Sequence, residues 1–268
     1  RPGIYEGEIF CDTIAEILAN RGVESIKCYC SDQGDIDLAM GYEGMLQVYD
    51  ELSKGCGFAT LTGHSCPLYL GSYEPNTGIS PEPPLTPFYN GLDQALKVNN
   101  GYKLPLMINN GCHNAQFDVT LQKLIDYIYG VYPEFYKRLG WMDFIPHDAS
   151  SWFVLMKGGG AIGVIGNTAL GAGYVNGAQT RLADYFNQLC YEGYAFDNND
   201  FAGELLSSGF TKYNNEWDPQ GNFLDRKTLE QKVLLGDPSL KLGGYKTGSS
   251  SSPSEDDERT EDDYGSVY

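Results

Sequence analysis

Leu104-Pro105-Leu106-Met107-Ile108-Asn109-Asn110-Gly111-Cys112 is a short apolar run that stops in a polar turn. It reads as a buried strand over 104–108. Phe58-Ala59-Thr60-Leu61-Thr62-Gly63-His64 has the same design: a strand over 58–62, then glycine and histidine. Each run delivers a reactive side chain just past its C-terminal end. In open α/β sheets that edge is where ligands bind. A histidine on one strand end and a cysteine on another is the minimum equipment for thiol nucleophilic catalysis.

The flanking sequence supports this frame. Residues 6–20 predict an amphipathic helix, with Ile9, Phe10, Ile14, Ile17 and Leu18 at helical spacing and Arg21-Gly22 at its end. Residues 24–30 predict a strand and 31–37 a polar turn. A second helix is expected over 42–53, with Met45, Leu46, Val48, Tyr49 and Leu52 as its stripe. Helix, strand, helix, strand is the alternation of a mainly parallel sheet covered on both faces. Residues 67–91 interrupt it with Pro67, Pro75, Pro81, Pro83, Pro84 and Pro87, and a long irregular loop of this kind is usually functional. Downstream, helices are expected over 88–98, 119–138 (broken near Pro133), 151–156, 178–191, 201–213 and 225–234. A strand is expected over 161–166, followed by a glycine-rich turn over 167–173. From Lys246 onward the chain is serine-rich, then acidic, and cannot bury enough apolar area to order itself. The expected division is one domain over 1–244 and a disordered acidic tail or linker over 245–268.

With 41% hydrophobic and 13% aromatic residues, the 268-residue chain can bury a sizeable core. Its net charge of −18 repels nucleic-acid phosphates and anionic lipid, which argues against nucleic acid as a partner. No apolar run approaches the roughly 20 residues that span a bilayer. The chain shows no signal peptide and no initiator methionine, as expected of a mature or excised piece. Twenty tyrosines suit an extracellular surface, and the missing N-glycosylation sequon points to a prokaryotic source. Seven cysteines allow three disulfides and one thiol in an oxidising compartment. The other explanation is that most are small buried apolar residues.

Gly111 before Cys112 lets the chain turn sharply and lets a substrate approach the backbone. The Cys112 N–H would then face the same space as its sulfur and stabilise an oxyanion. If the two strands are neighbours, His64 acts as general base and acid and Cys112 as nucleophile. The competing explanation is a structural cysteine and a hydrogen-bonded loop histidine. Cys66 is the alternative nucleophile. His113, adjacent to Cys112, should point away, and His147, near Asp148 and Trp152, reads as a surface histidine. The glycine clusters at 158–160 and 166–173 match no phosphate-binding fingerprint and read as turns and cleft wall. Asp32, Asp35 and Asp37 alternate in one polar turn, which suits either a solvated turn or a calcium ion held by oxygen ligands. No cofactor is required by thiol chemistry.

Several of these stretches, in this order, resemble the catalytic domain of gingipain-type cysteine peptidases, which share the caspase-like fold with caspases and legumain. The resemblance rests on Glu6-Gly7-Glu8, Thr62-Gly63-His64, Gly111-Cys112 with Ala115-Gln116-Phe117-Asp118, and Ser151-Trp152. It continues through Gly158-Gly159-Gly160-Ala161-Ile162, Ile165-Gly166-Asn167-Thr168 and Leu235-Gly236-Asp237-Pro238-Ser239-Leu240. It covers most of residues 5–243. The resemblance implies a caspase-like α/β fold and a His64–Cys112 dyad that cleaves peptide bonds through a thioester. It implies an oxyanion site shaped by Gly63, Ser65 and Gly111, and a specificity pocket walled by Trp152, Asn167, Thr168 and Tyr174. It further implies secretion or attachment at the cell surface, a protein or peptide substrate, an upstream fragment of the same precursor, and a structural calcium ion. Two departures stand out. The family usually has glycine after the histidine, where this chain has Ser65, and its first sheet strand has no counterpart in these residues. The second function class compatible with the chain is therefore a non-catalytic, self-associating structural or adhesive surface domain on the same fold.

Overall fold

The protein is described by a computed structural model covering residues 7–38, 42–67, 69–71, 97–117, 148–176 and 179–243. Helix α1 (Glu8–Ala19) leads to a two-residue strand β1 (Cys28–Tyr29), which pairs in parallel with β2 (Ile36–Asp37). Helix α2 (Tyr42–Ser53) precedes β3 (Phe58–Leu61). A hairpin of β4 (His64–Cys66) and β5 (Tyr69–Gly71) follows. Next come β6 (Leu106–Asn109), α3 (Ala149–Leu155) and β7 (Gly163–Asn167). A second hairpin, β8 (Gly173–Asn176) with β9 (Gln179–Leu182), runs into α4 (Ala183–Asp197). Helices α5 (Ala202–Glu216) and α6 (Phe223–Glu230) and strand β10 (Lys232–Gly236) complete the order.

The main sheet has the order β10-β7-β6-β3. β3, β6 and β7 are parallel, and β10 closes one edge antiparallel to β7. Parallel strands are buried on both faces and therefore read as continuous apolar runs. Leu106, Met107 and Ile108 are all 0% exposed. Alternation sends Leu106, Ile108 and Ile165 into one core, with Phe10, Ile14 and Leu18 of α1, Phe186 and Leu189 of α4 and Leu205 of α5. Met107, Val164, Ala59 and Leu61 enter the other, with Tyr49 and Leu52 of α2 and Phe153 of α3. The protein is thus α/β, mainly parallel, with helices on both faces. No helix among the described residues is long and apolar enough to cross a membrane.

The expected helix over 225–234 ends early. α6 stops at Glu230, and Val233-Leu234-Leu235 form an edge strand in register with Gly166, Ile165 and Val164. A short apolar run suits helix or strand, and the open edge of β7 decides. The expected helix over 178–191 starts at Ala183, because Gln179–Leu182 pairs with β8. The polar turn over 31–37 contains β2, and the loop expected over 67–91 begins with the β4–β5 hairpin. The helices expected over 88–98 and 119–138, together with Asp118, His147 and the tail, lie wholly or almost wholly outside the described residues.

Candidate active site

The turn after β6 is built from backbone reversal and buried amides. Asn110 N–H still donates to Leu61 O (2.8 Å), so the chain leaves the sheet beside β3. At Gly111 any Cβ would fall inside Ser65 Oγ, so glycine is required here by the close approach of β4. His113 takes φ 53°, the left-handed region uncommon for a side chain with Cβ. That reversal lets His113 N–H reach Ala169 O (2.9 Å) and Ala115 N–H reach Asn167 O (3.0 Å), both just after β7 or on it.

Asn114, 0% exposed, latches the turn. Its Nδ2 donates to Asn109 O and Gly111 O, and its Oδ1 accepts from Asn167 N–H (3.0 Å). Asn167 Nδ2 adds a second donor to Gly111 O at 2.8 Å. Ser65 Oγ–H donates to Cys112 O at 2.5 Å, tying β4 directly to the cysteine's own peptide unit. Behind this layer Asn110 bridges Asp184, through its Nδ2, and Asn187 Nδ2, at 2.7 Å, while Lys232 Nζ donates to Asn187 Oδ1 at 2.7 Å. Burial pushes the Lys232 ammonium down to about 8, and pushes the Asp184 carboxyl up against the opposing effect of the Asn110 amide.

Cys112 is half-buried, and its Sγ–H donates to Gly171 O at 3.4 Å. Burial raises its pKa, with the Gly171 contact and the Lys227 charge acting the other way. The thiol therefore rests protonated, and attack on a carbonyl needs a base. His64 opens β4, exposed, one residue from the Ser65–Cys112 contact. Cys66 closes the same strand, and its side chain lies outside the described residues. The ring of His113 is held by Gln116 Oε1 (2.8 Å), away from the role of base.

Helix α3 is fixed to both halves of this corner. Asp148, 0% exposed, caps it by accepting from Ser151 N–H (2.9 Å). Ala149 N–H donates to Pro67 O (2.7 Å), and Ser150 N–H to Asn114 O (3.0 Å). Half-buried Trp152 therefore sits on an element bonded to the β4–β5 turn and to the Cys112 turn. Gly63, at φ 145°, swings the chain from β3 to β4. Asn167 is buried, with its amide spent on Gly111, and Thr168 N–H and Oγ1 both reach Gln231 O. Tyr174 lies on β8 opposite Arg181. Asp35 Oδ2 accepts from Lys27 N–H (2.8 Å), and Asp32 Oδ1 accepts from Gln33 Nε2; Asp37 is on β2, and its side chain lies outside the described residues. No group of three or more His, Cys, Asp or Glu side chains that could hold a metal ion occurs among the described residues. The thiols of Cys11, Cys28, Cys56, Cys112 and Cys190 form no disulfide.

Sequence reasoning gave Ser65 to the oxyanion site and Asn167 to the pocket wall and missed Asn114; the hydrogen bonds by which all three hold the Gly111–Cys112 turn come from the structure. The signal for Asn114 was the polar density of Asn109-Asn110-Gly111-Cys112-His113-Asn114 directly after a fully buried strand. Buried amides there must find partners.

The profile of peptidase family C25 matches residues 9–243. Among curated proteins there is no match. Among solved structures, the fold matches the Arg-specific cysteine proteinase gingipain R (RgpB) at 15% identity and TM-score 0.56, covering 87% of this chain and 42% of that one. It matches the complex of Porphyromonas gingivalis RgpB pro- and mature domains at 16% and 0.56, covering 87% and 43%. The chain thus spans less than half the length of the solved chains it resembles. With the family profile extending from α1 past β10, and with a cysteine held at the end of a central parallel strand, this chain belongs to peptidase family C25, the gingipain-type cysteine peptidases.

Proposed function

We propose that the chain is a secreted bacterial cysteine endopeptidase domain in which Cys112 is the nucleophile and His64 its base. In this reading His64 takes the Sγ proton as sulfur bonds to the peptide carbonyl carbon. The resulting oxyanion is met by the Cys112 N–H beside Gly111, with Gly63 and Ser65 shaping the space. The imidazolium returns its proton to the departing amine as the C–N bond breaks. Water, deprotonated by His64, then hydrolyses the thioester. Trp152 and the stretch from Asn167 to Tyr174 wall the substrate, which is a protein. An upstream fragment of the same precursor is its natural companion. Thiol chemistry needs no cofactor, and calcium has no part in these steps.

The observation that carries this reading is the clamped turn. Asn114, Asn167 and Ser65 hold Gly111–Cys112 rigid at the sheet's C-terminal edge, an arrangement that a merely space-filling cysteine does not need. A peptidyl acyloxymethyl ketone tests it. Labelling should vanish in Cys112→Ala, fall at least tenfold in His64→Ala and persist in Cys66→Ala. Loss in Cys66→Ala with retention in Cys112→Ala would transfer the nucleophile.

A second reading, a silent surface domain of structural or adhesive type, is favoured by one observation: Ser65 stands after His64 and spends its hydroxyl on Cys112 O. It predicts no labelling in the wild type and unchanged surface assembly in Cys112→Ala.

A further inference from the structure

Asp184 is a half-buried carboxylate with no part in the thiol chemistry. It stands in the first turn of α4, and Asn187 follows three residues on, so both face the same side of the helix. Asn110, the residue before Gly111–Cys112, lies against that face. Its Nδ2 donates to Asp184 Oδ1, and its Oδ1 accepts from Asn187 Nδ2 (2.7 Å). Its backbone N–H meanwhile donates to Leu61 O of β3 (2.8 Å). Burial raises the Asp184 carboxyl, while the Asn110 amide and the Lys232 charge favour its ionised form.

The same carboxylate touches the other side of the site. Gly173, the first residue of β8, lies against it: a Cβ there would stand 2.8 Å from Asp184 Oδ2. Gly173 does not have a left-handed φ, so the backbone does not require glycine at this position; the close approach of Asp184 does. Just upstream, Ala172 O accepts from Ala183 N–H (3.0 Å), and Gly171 O accepts from the Cys112 thiol (3.4 Å). Asp184 thus stands between the two partners of the thiol contact. Asn110 leads to the sulfur, and Gly173 leads back to the carbonyl.

Backbone strain marks the junction that sets Asp184 there. Leu182, 5% exposed, takes φ 62° and ψ −128° between β9 and α4, a region that residues with a Cβ rarely adopt. Such a conformation persists only where the surroundings fix it, and it collects at functional sites. Here the Gly173–Leu182 pairing of the hairpin and the Ala183–Ala172 hydrogen bond fix it. We infer that Asp184 is a positioning residue: through Asn110 and Gly173 it holds the Cys112 turn and the β8 substrate wall in one alignment. This inference rests on the peptidase reading, in which residues 167–174 wall the substrate. The carboxylate divides the task between its two oxygens, with Oδ1 on the Asn110 amide and Oδ2 against Gly173. Anything that displaces one oxygen therefore displaces the other.

The test uses the full chain and two reagents. A peptidyl acyloxymethyl ketone at saturation gives kinact, which needs turn and wall aligned; iodoacetamide, read at Cys112 by mass spectrometry, needs only the thiol. Asp184→Ala should lower kinact at least tenfold, with the iodoacetamide rate within twofold of wild type. Asn110→Asp sets two carboxylates face to face and should do the same. Asn110→Asp/Asp184→Asn restores the hydrogen bond with donor and acceptor exchanged, and should recover kinact to within threefold of wild type. Gly173→Ala should push Asp184 off Asn110 and lower kinact at least fivefold, yet change it less than twofold in Asp184→Ala, where the carboxylate is gone. A kinact within twofold of wild type in Asp184→Ala, additive effects of Gly173→Ala and Asp184→Ala, or an exchanged pair no better than its single variants overturns the inference. So does faster iodoacetamide reaction in Asp184→Ala, which marks a turn that has opened and a purely structural role. Failure of the peptidase reading looks different, because the wild type itself then ignores the peptidyl probe. In that event amide hydrogen exchange at Asn110 decides the coupling: Gly173→Ala should speed it at least tenfold in the wild type and leave it unchanged in Asp184→Ala, and an equal effect in both backgrounds overturns it.

Discussion

Asn114→Ala is the most informative single change. The side chain is 0% exposed and makes three hydrogen bonds to backbone: to Asn109 O, to Gly111 O and from Asn167 N–H. Gly111 O keeps a donor in Asn167 Nδ2. Asn109 O and Asn167 N–H lose this partner inside the protein, and residues 109 and 167 are 2% and 0% exposed. An unsatisfied buried group costs about 1–3 kcal/mol, so two give roughly 2–6 kcal/mol. That is a large part of the about 5–15 kcal/mol that holds a typical domain. Urea unfolding should therefore show a lowered midpoint with unchanged slope. Under native conditions the Cys112 labelling rate with the peptide probe should drop at least tenfold, because the turn loses its anchor on β7. Asn114→Asp should be no better than alanine: it keeps the acceptor but turns a carboxylate on the two carbonyls that Nδ2 served. A midpoint within about 0.5 kcal/mol of wild type, with an unchanged labelling rate, would refute the latch.

Three further outcomes follow from the same geometry. Gly111→Ala should abolish probe labelling through the clash with Ser65 Oγ, and Ser65→Gly should restore part of it in the double variant, since the next Ser65 atom beyond Oγ and Cβ is its N at 3.2 Å; a strictly additive cycle counts against the contact. Because burial raises the Cys112 thiol, alkylation of Cys112 by iodoacetamide should reach half its maximal rate at a pH above the ordinary thiol value of about 8.5, and a midpoint at or below that value would contradict it. Lys232, lowered to about 8 in the fold and near 10.5 unfolded, binds fewer protons folded than unfolded between those values. Wild type should therefore gain on Lys232→Met by about 2–3 kcal/mol as pH rises from 8 to 10.5, measured by paired urea melts; a flat difference shows that the ammonium is not desolvated.

Local signals settled much of the architecture. The stripe Leu46, Val48, Tyr49, Leu52 placed α2 over 42–53, and the apolar runs at 58–62 and 104–108 marked two central strands to within two residues, because periodicity and burial on both faces are written in consecutive residues. Asn176-Gly177 carried a hairpin signal that outweighs the helical pattern read over 178–191. The strand at 232–236 had no comparable local signal, since its choice over helix depends on the open edge of β7, some 70 residues earlier in sequence.

The site divides in the same way. Sequence alone placed a glycine-cysteine pair and a glycine-histidine pair at strand ends, because a strand's end and its turn residues are local features. It could not show that Gly111 is required by Ser65, that Asn114 and Asn167 share the Gly111 carbonyl, or that Lys232 sits behind Asn110 through Asn187. Asn114 reaches Gly111 within one turn, but Asn167–Gly111, Asn110–Asn187 and Asn187–Lys232 join residues 56, 77 and 45 positions apart, and only the packed sheet with its covering helix brings them within hydrogen-bond reach. Residue types and spacing chose the chemistry; the parallel sheet, by excluding water and bringing the Nδ2 groups of Asn114 and Asn167 onto the Gly111 carbonyl, decided how Cys112 is held.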